Sequence, residues 1–218
     1  MDHRIIDLHV QSTESDGTFT PEDLVAEAKK AGLAAFALTD HDTCQGVGKA
    51  MPCAASAGIE LIPGIELSTD YHGKEVHIVG LYIDIENEQL LKKTAEYRKC
   101  RSERNALMVE ALQKEGLSIT MEELVAENPD GVITRANIAR FLYEHGQIKS
   151  VREAFDRYIG DHCKCYVGRL KVASTDAVRL IKEAGGTAIL AHPLLYGLSN
   201  TNLQKMIDEL KPAGLDGL

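Results

Sequence analysis

The sequence has no long apolar stretch that could cross a membrane. No segment approaches the roughly 20 consecutive apolar residues that a membrane-spanning helix requires. The first residues, Met1-Asp2-His3-Arg4, are not followed by the apolar core of a secretory signal. We therefore expect a cytoplasmic protein with no membrane contact.

Basic residues are too few to give the chain a positive surface. Lys and Arg number 24 against 33 Asp and Glu, for a formal net charge of −9. Binding to duplex DNA usually depends on clustered Lys and Arg that displace counterions from the phosphates. The charge argues against a duplex DNA partner, but not against a small phosphorylated ligand held in a local pocket.

The cysteines do not form the pattern of a disulfide framework. Their number is odd and their spacing irregular: Cys44, Cys53, Cys100, Cys163 and Cys165. His162-Cys163-Lys164-Cys165 could begin a zinc knuckle, but no second pair completes it. We interpret the cysteines as reduced thiols.

Strand patterns alternate with helix patterns in the first part of the chain. The predicted elements are a strand Arg4–Val10, a helix capped by Thr20 with Pro21 at its first position, a buried strand Leu33–Leu38, a helix Met51–Ala57, and strands Ile59–Leu67 and Glu75–Ile83. The third strand could be interrupted at Pro63-Gly64. Such alternation predicts an α/β fold with a parallel sheet or a barrel.

The middle of the chain is charged and helical. The predicted helices there are Glu88–Glu115, Met121–Glu127, Arg135–Glu144 and Val151–Ile159. A helix Ser174–Glu183, an apolar strand Thr187–Ala191, a helix Leu203–Leu210 and the start of a strand at Leu215 follow. We predict a barrel domain of residues 1–84 and 168–218, with a helical insertion at 85–167.

Residue types that bind metals recur near the ends of the predicted strands. They are His9, Asp16, Asp40, His41, Asp42, Glu66, His77 and His192. Each has an ordinary alternative, because a lone histidine is often a structural hydrogen-bonding residue and aspartate often stabilises a turn. The carboxyl ends of barrel strands share one face, so these side chains are predicted to converge. Imidazole with carboxylate suits Zn, Mn or Fe.

The ordered set of motifs resembles the PHP (polymerase and histidinol phosphatase) family of metal-dependent phosphoesterases. The motifs are Asp7-Leu8-His9-Val10-Gln11-Ser12, Ser15-Asp16-Gly17, Leu38-Thr39-Asp40-His41-Asp42-Thr43, Gly64-Ile65-Glu66-Leu67-Ser68, Val76-His77-Ile78-Val79-Gly80 and Leu190-Ala191-His192-Pro193. The resemblance is closest to the branch with a helical insertion, which includes nucleoside 3′,5′-bisphosphate phosphatases and a 5′-to-3′ exoribonuclease. It implies a distorted seven-stranded β/α barrel, similar to a TIM barrel.

The resemblance also implies a site for up to three divalent ions. One ion would use His9 and Glu66, a second would use Glu66, His77 and His192, and a third would use Asp16 and His41. It assigns catalysis to His41, Asp42 and His192, with metal-activated water as the nucleophile. The expected substrate is a small phosphorylated nucleotide or an RNA 5′ end.

The sequence departs from the family pattern in three places. Gln11 stands where the family usually has a second histidine, and Ala136-Asn137 replaces a usual Pro-His. The late Ser-Asp-x-His segment of the family, in the last barrel strands, has no counterpart before Leu218. Only the second ion site has its full ligand set, and we expect the chain to be part of a longer protein.

Arg135 and Arg169 are the candidate phosphate-binding residues, because a planar guanidinium can bind phosphate through two hydrogen bonds. Surface ion pairs are the alternative for both.

Three other functions stay open: a phosphatase for another ester such as histidinol phosphate, a catalytically impaired metal-binding module, and an amidohydrolase. The last would need a general-base aspartate late in the barrel. The oligomeric state is not predicted.

Overall fold

The computed structural model describes residues 5–129, 131–168 and 172–218. The chain divides into a first unit of residues 1–95 with 171–218 and a second unit of residues 96–170. The strands are β1 (Ile5–Val10), β2 (Leu33–Leu38), β3 (Glu60–Tyr71), β4 (Lys74–Leu81) and β5 (Thr187–Leu190). The helices are α1 (Pro21–Lys30), α2 (Gln45–Ala57), α3 (Glu88–Lys114), α4 (Met121–Glu127), α5 (Arg135–Glu144), α6 (Val151–Ala154), α7 (Ser174–Glu183) and α8 (Asn200–Leu210).

The strands of the first unit form one mixed sheet in the order β1-β2-β3-β4-β5. β1, β2 and β3 are parallel, as predicted, but β4 runs antiparallel to both β3 and β5. The reason lies in the connection between β3 and β4, which is only His72-Gly73, with positive φ at both residues. Two such residues make a tight hairpin turn and leave no room for a crossover helix.

β3 continues through Pro63-Gly64 without the interruption that the sequence suggested. Pro63 is the last residue of β3 paired with β2, opposite Leu38, and Gly64 is the first paired with β4, opposite Leu81. The proline therefore lies where the hydrogen bonding of β3 passes from one neighbour to the other. A missing N–H is tolerated at such a position.

Several helices differ from their predicted bounds, and among them α8 begins at Asn200 instead of Leu203. α2 begins at Gln45, six residues before the predicted Met51, because Val47, Ala50 and Ala54 are buried along one helical face and outweigh the poor helix propensity of the early glycines. The predicted helix over 151–159 is α6 followed by a π-helical turn, Phe155–Ile159. The predicted cap of α1 is confirmed, since Thr20 Oγ1 accepts from Asp23 N.

Each unit has its own apolar core. In the first unit one cluster joins Ala35, Ala37, Ile62, Val79, Leu81 and Ala191 across the sheet. In the second unit, whose described residues outside helices are turns and loops, the core includes Met108, Leu112, Ile119, Leu124, Ile138, Phe141 and Leu142. Among the described residues no helix is both long and apolar enough to span a membrane.

Candidate metal centre

Glu66 of β3 lies at the centre of a group of imidazoles. Its side chain is buried, with 1% of the residue exposed. Oε1 lies 2.9 Å from His77 Nδ1 and 3.0 Å from His192 Nε2. Oε2 lies 2.9 Å from His9 Nε2 and 3.5 Å from His41 Nε2. The structure therefore brings together all four predicted metal-binding histidines in the first unit.

Strand register explains why these side chains meet. Side chains two residues apart on a strand share a face, so Glu66 and Ser68 point the same way. His77 pairs with Ser68 across the antiparallel hairpin, which places it on that face beside Glu66. His41, just after β2, forms a parallel bridge with Glu66. His77 thus reaches the site from the middle of an antiparallel strand, whereas a parallel barrel would use a strand end.

A tyrosine links the backbones that carry His77 and His192. The Tyr196 hydroxyl accepts from His77 N at 2.9 Å and donates to Ala191 O at 2.7 Å. Ala191 N also donates to His77 O at 3.0 Å. His192 itself has left-handed backbone dihedrals, with φ of 33°. Such a conformation is unfavourable for a non-glycine residue, so the hydrogen bonds on either side hold it in place.

The loop after β1 brings Asp16 and Gln11 to the same group. Asp16 Oδ2 lies 3.7 Å from His41 Nε2, and Gln11 Nε2 lies 2.5 Å from Glu66 Oε2. The loop is tightly folded at Gly17, where an added Cβ would lie 2.1 Å from Gln11 O. Asp16 therefore lies close to His41, and the four histidines predicted to bind metal lie close to Glu66.

Asp42 is placed differently from the histidines. It is fully buried, its Oδ1 accepts from Ser68 N at 3.1 Å, and its own N donates to Glu66 O at 2.9 Å. These bonds attach the segment after β2 to β3. They fit a bracing role for Asp42, and its predicted part in catalysis stays a prediction.

The ionisation of the group follows from its burial and mutual contacts. Burial raises the pKa of Glu66, but the charge of His41 and the hydrogen bonds with His192, His77 and His9 outweigh it and lower that pKa well below its ordinary value. Burial lowers the pKa of His77, but hydrogen bonds with Glu66 and Glu75 raise it to about 9. Glu66 is therefore a carboxylate, the form that binds a cation.

The donor set fits divalent metal ions. Two groups of three side chains have potential ligand atoms within 4.8 Å of one another: His9, Glu66 and His192, and His41, Glu66 and His77. Nδ1 of His192 is also buried with no hydrogen-bond partner among the described residues. One buried carboxylate shared by several imidazoles is an arrangement that suits Zn, Mn or Fe.

Of the two candidate phosphate-binding arginines, only Arg135 is among the residues that the structure describes. Arg135, in the second unit, donates to Asp161 Oδ1 at 3.0 Å and to Ile159 O at 3.4 Å, with its guanidinium 5.4 Å from the centre of the Tyr166 ring. Arg169 lies outside the described residues. Phosphate binding by either arginine stays a prediction.

Sequence reasoning did not assign roles to several polar residues that surround the ligands. Serine and tyrosine are uncommon metal ligands, so Ser12, Ser15 and Tyr196 were not selected. Asp40 was selected only as a possible metal-binding residue, with an ordinary turn as the alternative. Only Asp40 could have been singled out from the sequence. Aspartates stand on both sides of His41, and a single turn needs only one of them. Tyr196 lies in a short 3-10 turn whose contacts depend on the tertiary fold.

Comparison with known proteins identifies the family. Residues 7–160 match the PHP domain model. The chain is 36% identical to a 5′-3′ exoribonuclease of Haemophilus influenzae over 97% of this chain and 77% of the relative. It is 34% identical to a 3′,5′-nucleoside bisphosphate phosphatase of Chromobacterium violaceum over 98% of this chain and 75% of the relative. The chain belongs to the PHP domain family.

Solved structures agree with the fold. An amidohydrolase from Chromobacterium violaceum with bound sulfate matches with a TM-score of 0.92 at 34% identity, over 97% of this chain and 75% of that one. A protein from Bifidobacterium adolescentis, described as a candidate metal-dependent phosphoesterase, matches with a TM-score of 0.89 at 29% identity, over 99% of this chain and 77% of that one. The predicted family and its distorted α/β barrel fold are confirmed.

Proposed function

We propose that this chain is a metal-dependent phosphoesterase that hydrolyses phosphate esters of nucleotides or of RNA 5′ ends. The observation that carries the proposal is the convergence of four histidines on the buried carboxylate of Glu66. Membership of the PHP family supports the reaction class. Relatives named as an exoribonuclease and a nucleoside bisphosphate phosphatase support the substrate class.

The candidate metal ligands form two sets, one beside each carboxylate oxygen of Glu66. His77 and His192 flank Oε1, which supports the predicted site of Glu66, His77 and His192. His9 and His41 flank Oε2, with Asp16 beyond His41. Bound divalent ions there would supply Lewis acidity, which activates water and neutralises charge on phosphoryl oxygens.

The protein residues have roles of their own in this reaction. Glu75 Oε1 lies 3.3 Å from Nε2 of His77 and fixes the orientation of the ring that faces Glu66. His41 lies between Asp16 and Glu66 and is mostly buried, so its imidazole is held beside both carboxylates. We keep His41 and His192 as the candidate catalytic histidines.

We propose that the substrate is either a small nucleotide or an RNA that is hydrolysed from its end. The net charge of −9 argues against tight binding of duplex nucleic acid. Arg135 stays a candidate for phosphate binding, and a phosphate there would compete with Asp161 for its guanidinium. One structural neighbour is described as an amidohydrolase, so an amide substrate is the alternative to be tested.

The test combines metal content with turnover. Purified chain would be analysed for bound metal, and phosphate release would be followed from adenosine 3′,5′-bisphosphate and from a 5′-phosphorylated oligoribonucleotide in Mn²⁺. We expect bound metal and phosphate release in the wild type, and loss of both in Glu66→Gln and His192→Ala. His145→Ala is the matched control, since His145 is a histidine of the second unit with 45% of its side chain exposed.

Two results would overturn the proposal. Bound metal without hydrolysis of either phosphate substrate would point to an impaired metal-binding module. Turnover of an amide but of neither phosphate ester would point to an amidohydrolase. Equal loss of activity in His145→Ala would show that the effect of the site variants is not specific.

A further inference from the structure

We propose that Asp40 is a positioning residue, which holds the loop from Gln11 to Asp16 in the conformation that presents Asp16 to the metal centre. Nothing in the family resemblance gave Asp40 this role. The inference rests on the proposed function, because positioning has meaning only if Asp16 and His41 hold an ion. It concerns the loop, however, and can be tested separately from hydrolysis.

The side chain of Asp40 receives three short hydrogen bonds from the loop. Oδ1 accepts from Ser12 N and from Ser15 Oγ, each at 2.7 Å. Oδ2 accepts from Ser12 Oγ, also at 2.7 Å. Ser12 Oγ in turn accepts from Glu14 N at 3.1 Å. One carboxylate therefore fixes both the backbone and the side chains of the segment that leads directly to Asp16.

The backbone of the same residue is attached to the strand that carries the central ligand. Asp40 O accepts from Glu66 N at 3.1 Å, and the next residue is His41. Asp40 thus contacts the loop through its side chain and Glu66 through its backbone, and it is covalently joined to His41. Asp16 Oδ2 and His41 Nε2 are 3.7 Å apart, and a shift of Asp40 would change this distance.

The geometry favours positioning over direct metal binding. Asp40 is 1% exposed, and both of its oxygens are already occupied by donors from the loop. It does not belong to either group of potential ligands found among the described residues. A buried carboxylate is stable only when its oxygens are hydrogen-bonded, which the two serines and one backbone N–H achieve here.

The conservative variant separates geometry from charge. In Asp40→Asn the amide oxygen can keep the two bonds at the Oδ1 position, and the amide N–H can donate to Ser12 Oγ in place of the third bond. Asp40→Ala removes all three bonds. A positioning role therefore predicts that asparagine largely substitutes for aspartate, whereas a role as a charged ligand predicts that it does not.

The experiment measures metal binding and loop exchange in the full chain. We expect Asp40→Ala to raise the half-saturating Mn²⁺ concentration about 10- to 100-fold, the range for residues that orient metal ligands, and to match Asp16→Ala. Asp40→Asn should remain close to the wild type, because its amide can keep the hydrogen bonds to the loop. In metal-free protein, hydrogen exchange of the amides of residues 12–17 should accelerate in Asp40→Ala and remain slow in Asp40→Asn.

Val178→Ala is the control for simple loss of stability, since Val178 is a fully buried residue of α7. It should lower the melting temperature without changing the Mn²⁺ midpoint or exchange in the loop. The inference is overturned if Asp40→Ala leaves both readouts unchanged, or if Asp40→Asn is as defective as Asp40→Ala. If wild-type protein binds no metal, the proposed function fails, whereas the exchange result still decides whether Asp40 holds the loop.

Discussion

Gln11 Nε2 donates to Oε2 of Glu66 across 2.5 Å, the same oxygen that lies 2.9 Å from His9 Nε2. An amide nitrogen cannot bind a cation, so Gln11 would have to turn its own Oε1 toward an ion to act as a ligand. The family usually has a histidine at this position. The side chain is therefore in the right place for a ligand, but its chemistry is weaker.

We expect Gln11→His to strengthen metal binding. A neutral imidazole is a better ligand than an amide oxygen for Zn, Mn or Fe. The expected result is a lower half-saturating Mn²⁺ concentration and more metal retained after dialysis, measured by elemental analysis. Gln204→His, at an exposed position of α8, is the control. Unchanged metal content in Gln11→His would mean that this position does not contribute a ligand.

Metal binding should stabilise the first unit. Ligands that bind only the folded state raise the free energy of unfolding by about 2.7 kcal/mol at a concentration of 100 times Kd. We expect the melting temperature to rise with Mn²⁺ or Zn²⁺ and to fall with a chelator. In Glu66→Gln, where the shared carboxylate is lost, the added metal should give little change. A rise of equal size in that variant would show that the ions bind elsewhere.

The sequence predicted most elements and the side chains of the centre, because periodicity and ligand chemistry are local properties. His9, His41, Glu66, His77 and His192 were all selected, and the structure brings them together. Their ligand roles themselves stay predictions.

The antiparallel direction of β4 was not predicted. It depends on two turn residues, and His72 at positive φ is not a common choice for such a turn. The supporting roles of Asp40 and Tyr196 could not be read from the chain either. The loop partners of Asp40 are 25 to 28 residues away in sequence, and His77, one of the two partners of Tyr196, is 119 residues away.

Tyr196→Phe should destabilise the link between β4 and the end of β5. The hydroxyl joins His77 N and Ala191 O, and its loss leaves two buried polar groups without that partner. We expect the free energy of unfolding to fall by about 1–3 kcal/mol in urea denaturation. Tyr143→Phe is the matched control, at a tyrosine that is 49% exposed. Equal stability of the two variants would contradict the proposed link.

The same substitution at two glycines should have opposite effects. Gly73 has φ of 88° in the turn that sets the register of His77, whereas Gly48 is an exposed residue inside α2, and neither has an atom within 4 Å of an added Cβ. Steric clashes therefore do not contribute, and backbone preference decides the sign. Gly73→Ala should lower the free energy of unfolding by about 1–2 kcal/mol, the cost of a left-handed non-glycine residue.

Gly48→Ala should raise the free energy of unfolding by about 1 kcal/mol through higher helix propensity. Urea denaturation of both variants beside the wild type measures the two changes. Because the turn fixes which residue lies opposite Ser68, Gly73→Ala should also weaken Mn²⁺ binding, and Gly48→Ala should not. Stabilisation by Gly73→Ala would contradict the left-handed turn and, with it, the reason given for the position of His77.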